Sequence, residues 1–136
     1  MLICLCVSVL PYICVFEYIA AMEATTLYGL LADDTRLRIL HLLLDGESLC
    51  VCELTAVLGL SQPKISRHLA ALRAAGVVLD QRRGTWAYYQ LHPELPGWAR
   101  DVLKAGFAHW GELSPFLEDK QRACAMRLSD PCAQDA

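Results

Sequence analysis

Lysine and arginine are missing from the chain before Arg36. A secretory signal needs a positively charged start and a small-residue cleavage motif, so this absence argues against export. Long apolar runs are missing as well. Met1 to Phe16 is almost wholly apolar, but it contains Pro11 and falls short of the roughly 20 residues that a bilayer span needs. No C-x-x-C spacing occurs, which disfavours a thioredoxin-like redox motif. There is no phosphate-cradling loop and no nucleophile beside an evident base, so a small thiol-dependent enzyme is the weakest reading. An even cysteine count is also lacking: seven thiols cannot all close into a disulfide framework. Unexported, they are expected to stay reduced for metal or redox work, in the cytoplasm and without a membrane partner.

At 136 residues, 55% of them hydrophobic, the chain is long enough for one core and too apolar for a disordered body. Three segments are expected. Residues 1–21 form an apolar extension read as an anchor, an extra helix or, preferably, residues not translated natively, because composition changes abruptly at Met22. Cys4, Cys6 and Cys14 accordingly carry little weight as ligands. Residues 22–117 form the folded domain, and residues 118–136 a polar, flexible tail carrying Cys124 and Cys132.

The net charge of −3 is unevenly spread. Between residues 61 and 91, Lys64, Arg67, Arg73, Arg82 and Arg83 face Asp80 alone, a local +4 that leaves −7 on the rest. A basic surface on an acidic body suits a nucleic-acid reader, since phosphates are felt at close range.

The domain reads as mostly α with a small β-hairpin, in the order α-α-α-α-β-β-α. A short amphipathic helix over 25–32 is followed by one over 35–44, capped by Asp33 and Asp34, with Leu37, Leu40, Leu43 and Leu44 on its core face. His41 is expected on a solvent-facing flank. Helices over 50–58 and 61–75 flank Gly59-Leu60-Ser61, the tight connection of a helix-turn-helix. In the second of these, Ile65, Leu69 and Leu72 face inward. Lys64, Ser66 and Arg67 therefore face outward, beside Ser61 and Gln62 at the helix start. After Gly76 the period changes to two. Val77–Leu79 and Trp86–Leu91 read as strands around Arg82-Arg83-Gly84-Thr85, a basic hairpin suited to act as a wing. A final helix from Trp98 carries Leu103, Phe107 and Trp110, a stripe that the first helix or a second subunit must cover. A two-fold homodimer would set two reading helices one DNA turn apart.

Cys50 and Cys52 stand at the start of the third helix. Thiolates suit soft ions, including trivalent arsenic and antimony, and the positive helix end is expected to lower a thiol's pKa there. Residues i and i+2 of a helix differ by about 200°, so one ion can hold both sulfurs only if the first turn unwinds or Cys50 lies outside it, extended. Two buried, inert cysteines are the bland alternative.

Leu49-Cys50-Val51-Cys52-Glu53-Leu54, the string SQPKISRHLAALRAAG from Ser61, and RRGTWAYYQL from Arg82 resemble the ArsR/SmtB family of metal-responsive repressors, in its arsenic-sensing branch. The resemblance implies a homodimeric winged helix-turn-helix repressor on double-stranded operator DNA. It would hold no permanent cofactor and be released by arsenite or antimonite, with Ser61, Gln62, Lys64, Ser66, Arg67, Arg82 and Arg83 as DNA contacts. The branch's first two arsenic ligands carry over to Cys50 and Cys52. Its third falls on Thr55, so Cys124 or Cys132 would complete the site unless two thiolates suffice. Of the family's D-x-H-x10-H-x-x-E zinc pattern only His109 and Glu112 occur, with Pro96 and Trp98 at the other positions. A zinc, cadmium or redox sensor on the same scaffold is the alternative.

Overall fold

The computed structural model describes residues 22–129. The expectations for residues 1–21 and for Cys132 lie outside that range. Helix α1 (Ala24–Leu31) buries Leu27, and its last carbonyls are taken up by Arg36, whose Nε and Nη2 donate to the oxygens of Leu30 (2.7 Å) and Gly29 (3.1 Å). Asp33 opens α2 (Asp34–Leu43) by accepting the Arg36 amide at 3.0 Å, as an N-cap carboxylate should. Ile39, Leu40, His41, Leu42 and Leu43 are all buried, so α2 is enclosed on nearly every side and forms the centre of the domain.

A two-residue strand β1 (Leu49–Cys50) precedes α3 (Val51–Leu58) and α4 (Gln62–Ala74). Gly59 closes α3 in the left-handed region (φ 65°), where a side chain would be strained, and this reverses the chain into α4. Ile65, Leu69 and Leu72 of α4 are fully buried, as their spacing requires. Strands β2 (Val78–Arg83) and β3 (Trp86–Leu91) form the hairpin, paired from Val78↔Leu91 to Arg83↔Trp86. The sheet has the order β1-β3-β2 and is antiparallel throughout, so β3 is central and β1 lies on the edge. In α5 (Gly97–Trp110), Ala99, Leu103 and Phe107 are buried, whereas Trp110 is half exposed.

The winged helix-turn-helix is present, with two corrections to the expected element order. β1 adds a third strand, and a helix α6 (Phe116–Ser129) stands where a flexible tail was expected from Glu118. Ion pairs hold it to the domain alongside Phe116, Ala123 and Met126, which pack on the core. Asp119, 1% exposed, accepts Arg38 through both oxygens (2.7 and 2.8 Å) and pairs with Arg122. Lys120 pairs with Asp45 and Arg127 with Glu47, while Arg122 Nε donates to the Val57 carbonyl at 2.8 Å. Only Ala123 is a buried apolar residue, so hydrophobic periodicity could not reveal this helix.

His41 is the other correction: it is buried against Phe107 and Phe116, with ring centroids 4.9 and 5.4 Å away. Its Nδ1 has no hydrogen-bond partner among the described residues. A side chain at Gly111 would place its first carbon 2.7 Å from His41 Nε2, so this corner requires glycine. Burial, aided by the nearby Lys120 ammonium, pushes the His41 pKa below its usual 6.5, although Asp45 and Asp119 oppose this. Above 6.5 both folded and unfolded chains leave the ring neutral. Below it the unfolded chain takes up a proton that the folded chain refuses, so stability falls as pH drops. The melting temperature is therefore expected to decline from about pH 7 to pH 5, with a shallower slope in His41→Gln; identical slopes in scanning calorimetry would contradict this.

Candidate thiol site and nucleic-acid interface

Cys50 belongs to the sheet and the helix at once. Its backbone is extended (φ −82°, ψ 167°), paired with Tyr88 of β3, and it is the N-cap of α3. The Cys50 amide donates to Glu53 Oε2 at 2.7 Å, and its Sγ accepts the Glu53 amide at 3.5 Å. This is a capping box in which a thiol stands where Ser or Thr is usual. Of the two geometries expected for the C-x-C pair, the structure has Cys50 outside the helix. Cys52 lies inside it and is exposed, whereas Cys50 is 7% exposed.

The expected lowering of the thiol pKa is not found at Cys50. Burial, reinforced by the Glu53 carboxylate, pushes the Cys50 thiol up to about 11 despite the helix amides aimed at it. Desolvation disfavours the thiolate more than the helix end favours it. Thr55, at the third ligand position implied by the resemblance, donates its hydroxyl to the Val51 carbonyl at 2.7 Å. Cys124 is exposed on α6, within a helix rather than an irregular tail. Among the described residues no group of three or more His, Cys, Asp or Glu side chains is placed to hold a metal, and His109 and Glu112 are exposed.

The basic surface sits on α4 and the hairpin. Ser61, Gln62, Ser66 and Arg67 are exposed and Lys64 is half-buried, all away from the Ile65–Leu69–Leu72 face. Ser61 occupies the N-cap of α4, but its side chain makes no capping bond there. Arg73 pairs with Asp80 at 3.3 Å, so those opposite charges offset each other and leave Lys64, Arg67, Arg82 and Arg83 to set the field. Arg82 and Arg83 are exposed at the end of β2. Arg83 lies over the Tyr88 ring (4.8 Å) and donates to Ser48 Oγ (3.3 Å). His68 bridges α4 to the α2 cap, its Nδ1 3.7 Å from Asp33 Oδ1. Asp33 is partly desolvated, yet the Arg36 amide and the His68 and Arg36 charges hold its carboxyl below the usual value. Sequence reasoning missed β1 and the Arg83–Ser48 contact. The capping box was visible as the spacing Cys50-x-x-Glu53, had cysteine been admitted as a cap.

A groove of about 390 Å³ opens between α1, α2 and α5, lined by Tyr28, Leu31, Leu37, Val102, Phe107 and Trp110 among others. Tyr28 and Trp110 at this groove are 57% and 49% exposed. No helix among the described residues is long and apolar enough to cross a membrane.

A family model described as "Bacterial regulatory protein, arsR family" matches residues 33–79. Over 74 residues the chain is 61% identical to the arsenic resistance transcriptional regulator ArsR1 of Pseudomonas putida, covering 54% of this chain and 58% of that protein. It spans less than two thirds of the first three curated relatives it matches: 58%, 64% and 66% of their lengths. Among solved structures it is similar to HlyU from Vibrio cholerae (TM-score 0.59, 31% identity, 65% of this chain and 92% of that one). It is also similar to the AntR antimony-specific transcriptional repressor (TM-score 0.54, 30% identity, 62% and 73%).

The two thiols should differ in reactivity. With its pKa at about 11 rather than the ordinary 9.0, Cys50 holds about 100-fold less thiolate at neutral pH than a free thiol. In iodoacetamide labelling mapped by mass spectrometry, Cys52 and Cys124 are expected to react well before Cys50. Comparable rates at Cys50 and Cys52 would mean that the cap opens freely.

Proposed function

This chain belongs to the arsR family of bacterial regulatory proteins, and from that premise we propose that it is a DNA-binding transcriptional repressor of an arsenic-resistance operon, released when arsenite or antimonite bonds to Cys50 and Cys52. One observation carries the reading: a thiol caps the very helix that leads into the exposed basic helix α4, with a second thiol two residues on. DNA would meet Ser61, Gln62, Lys64, Ser66 and Arg67 in the major groove, while Arg82 and Arg83 on the wing meet phosphate or the minor groove.

The raised Cys50 pKa favours a metalloid over zinc or cadmium. Arsenous acid is neutral, and each thiol exchanges its S–H for S–As while one hydroxide leaves arsenic as water, with no net proton released. A divalent cation instead needs thiolates and expels protons. At Cys50 the shift from 9.0 to about 11 adds about 3 kcal/mol to that deprotonation. Its burial therefore suits a ligand that accepts a neutral thiol.

A second copy of the chain is the natural cover for the apolar groove between α1, α2 and α5, since a face of this kind on a small domain is rarely left to water. Two-fold pairing there would present two α4 helices to successive turns of DNA. A cytoplasmic location follows from DNA as the partner.

In gel-shift titrations, arsenite is expected to release operator DNA from the wild-type chain with little change between about pH 6 and 8, whereas cadmium binding should strengthen steeply with pH. Cys50→Ser and Cys52→Ser should each still bind DNA but not release it, serine being a sound N-cap. Loss of DNA binding in either variant would make the pair structural and overturn the sensing role.

Arg67→Ala should weaken operator binding by about 1–3 kcal/mol if Arg67 reads a base, and should weaken all sequences alike if it contacts phosphate. Unchanged affinity for both operator and random DNA would place the reading surface elsewhere.

A further inference from the structure

The thiol site meets the wing along β1. Cys50 pairs through its backbone with Tyr88 on β3, and Ser48, two residues earlier, accepts a hydrogen bond from the wing arginine Arg83. Between them Leu49 is 1% exposed and pairs with Tyr89, so it is the fulcrum of a short lever. Arg83 in turn lies over the ring of Tyr88, the residue paired with Cys50. We propose that the wing is the part that moves: a trivalent metalloid on Cys50 displaces β1 from β3, breaks the Ser48–Arg83 contact and removes the wing's hold on DNA while the reading helix keeps its place. This rests on the metalloid-responsive repressor reading and adds the route by which the signal travels.

Relative stiffness decides which element yields. Cys50 Sγ is buried on the Glu53 amide, while Cys52 is exposed on α3. For one arsenic to bond both sulfurs, each exchanging its proton for arsenic as hydroxide leaves as water, Cys50 must give up its cap. The far end of α3 cannot readily follow. Leu54, Val57 and Leu58 are buried, and the Val57 and Leu58 carbonyls are held by Arg122 (2.8 Å) and Arg38 (3.3 Å). Arg38 and Arg122 are themselves fixed by the buried Asp119. Helix α4 is anchored by Ile65, Leu69 and Leu72, each fully buried. By contrast, β1 has two residues on a sheet edge, and Arg83–Ser48 is an exposed contact. Strain introduced at Cys50 relaxes through the least stable neighbouring element.

Hydrogen exchange on the full chain, with and without arsenite as the probe, tests this. Peptides covering residues 47–52 and 86–91 are expected to exchange at least about fivefold faster with arsenite, and the 62–74 peptide to be unchanged. Faster exchange in 62–74 with 86–91 silent would overturn the wing route. Ser48→Ala, which leaves both thiols and the exposed face of α4 intact, should weaken DNA binding about two- to tenfold without arsenite, as Arg83 loses its orientation. Unchanged affinity in that variant would overturn the latch. Arsenic–sulfur absorption read on the same samples separates the two ideas. Without it the repressor reading and this inference fall together, whereas arsenite binding and DNA release over a silent wing overturn the inference alone.

Discussion

One residue joins three parts of this molecule. Cys50 ends the edge strand, pairs with the central strand of the wing and caps the helix that precedes the basic helix α4. Its amide and its sulfur are both engaged by Glu53. A cap of this kind is worth on the order of 1 kcal/mol, small for a fold but large for a switch. Anything that bonds to the sulfur must compete with that cap, and anything that moves the backbone disturbs strand and helix together.

The electrostatics of the site follow from the same placement. A thiol at a helix start is ordinarily eased toward the thiolate by the amides around it. Here the side chain is turned into the core beside a carboxylate, and burial outweighs the helix end. The result is a thiol that stays protonated and guarded at neutral pH, next to an exposed one that does not share its shelter. For the proposed metalloid effector, such an asymmetric pair would offer an accessible first sulfur and a second one sheltered in the cap.

The acidic and basic parts of the chain divide the work of assembly and recognition. Asp45, Glu47 and Asp119 bind the last helix to the body through Lys120, Arg127, Arg38 and Arg122. Among the described residues, that leaves Lys64, Arg67, Arg82 and Arg83 as the cations on the α4 and wing surface with no carboxylate ion pair. A chain of net charge −3 can thus present a locally positive face.

Local pattern determined a good deal by itself. The spacing of Ile65, Leu69 and Leu72 settled which side of α4 faces inward, because helical period and burial are tied by geometry. Asp33 as a cap and the strand over Trp86–Leu91 were equally legible, since each depends on neighbours within a few residues. What depended on distant partners was not. Helix α6 is held by ions 75 to 81 residues away in sequence, at Asp45 and Arg38, and of its apolar residues only Ala123 is buried, so no apolar face marks it. The burial of His41 is set by Phe107 and Phe116, which arrive from the other end of the chain. The two cysteines could be located from the sequence. Only the tertiary structure decided that one is sheltered and the other exposed, because desolvation depends on what the rest of the chain packs around a group rather than on the residues beside it.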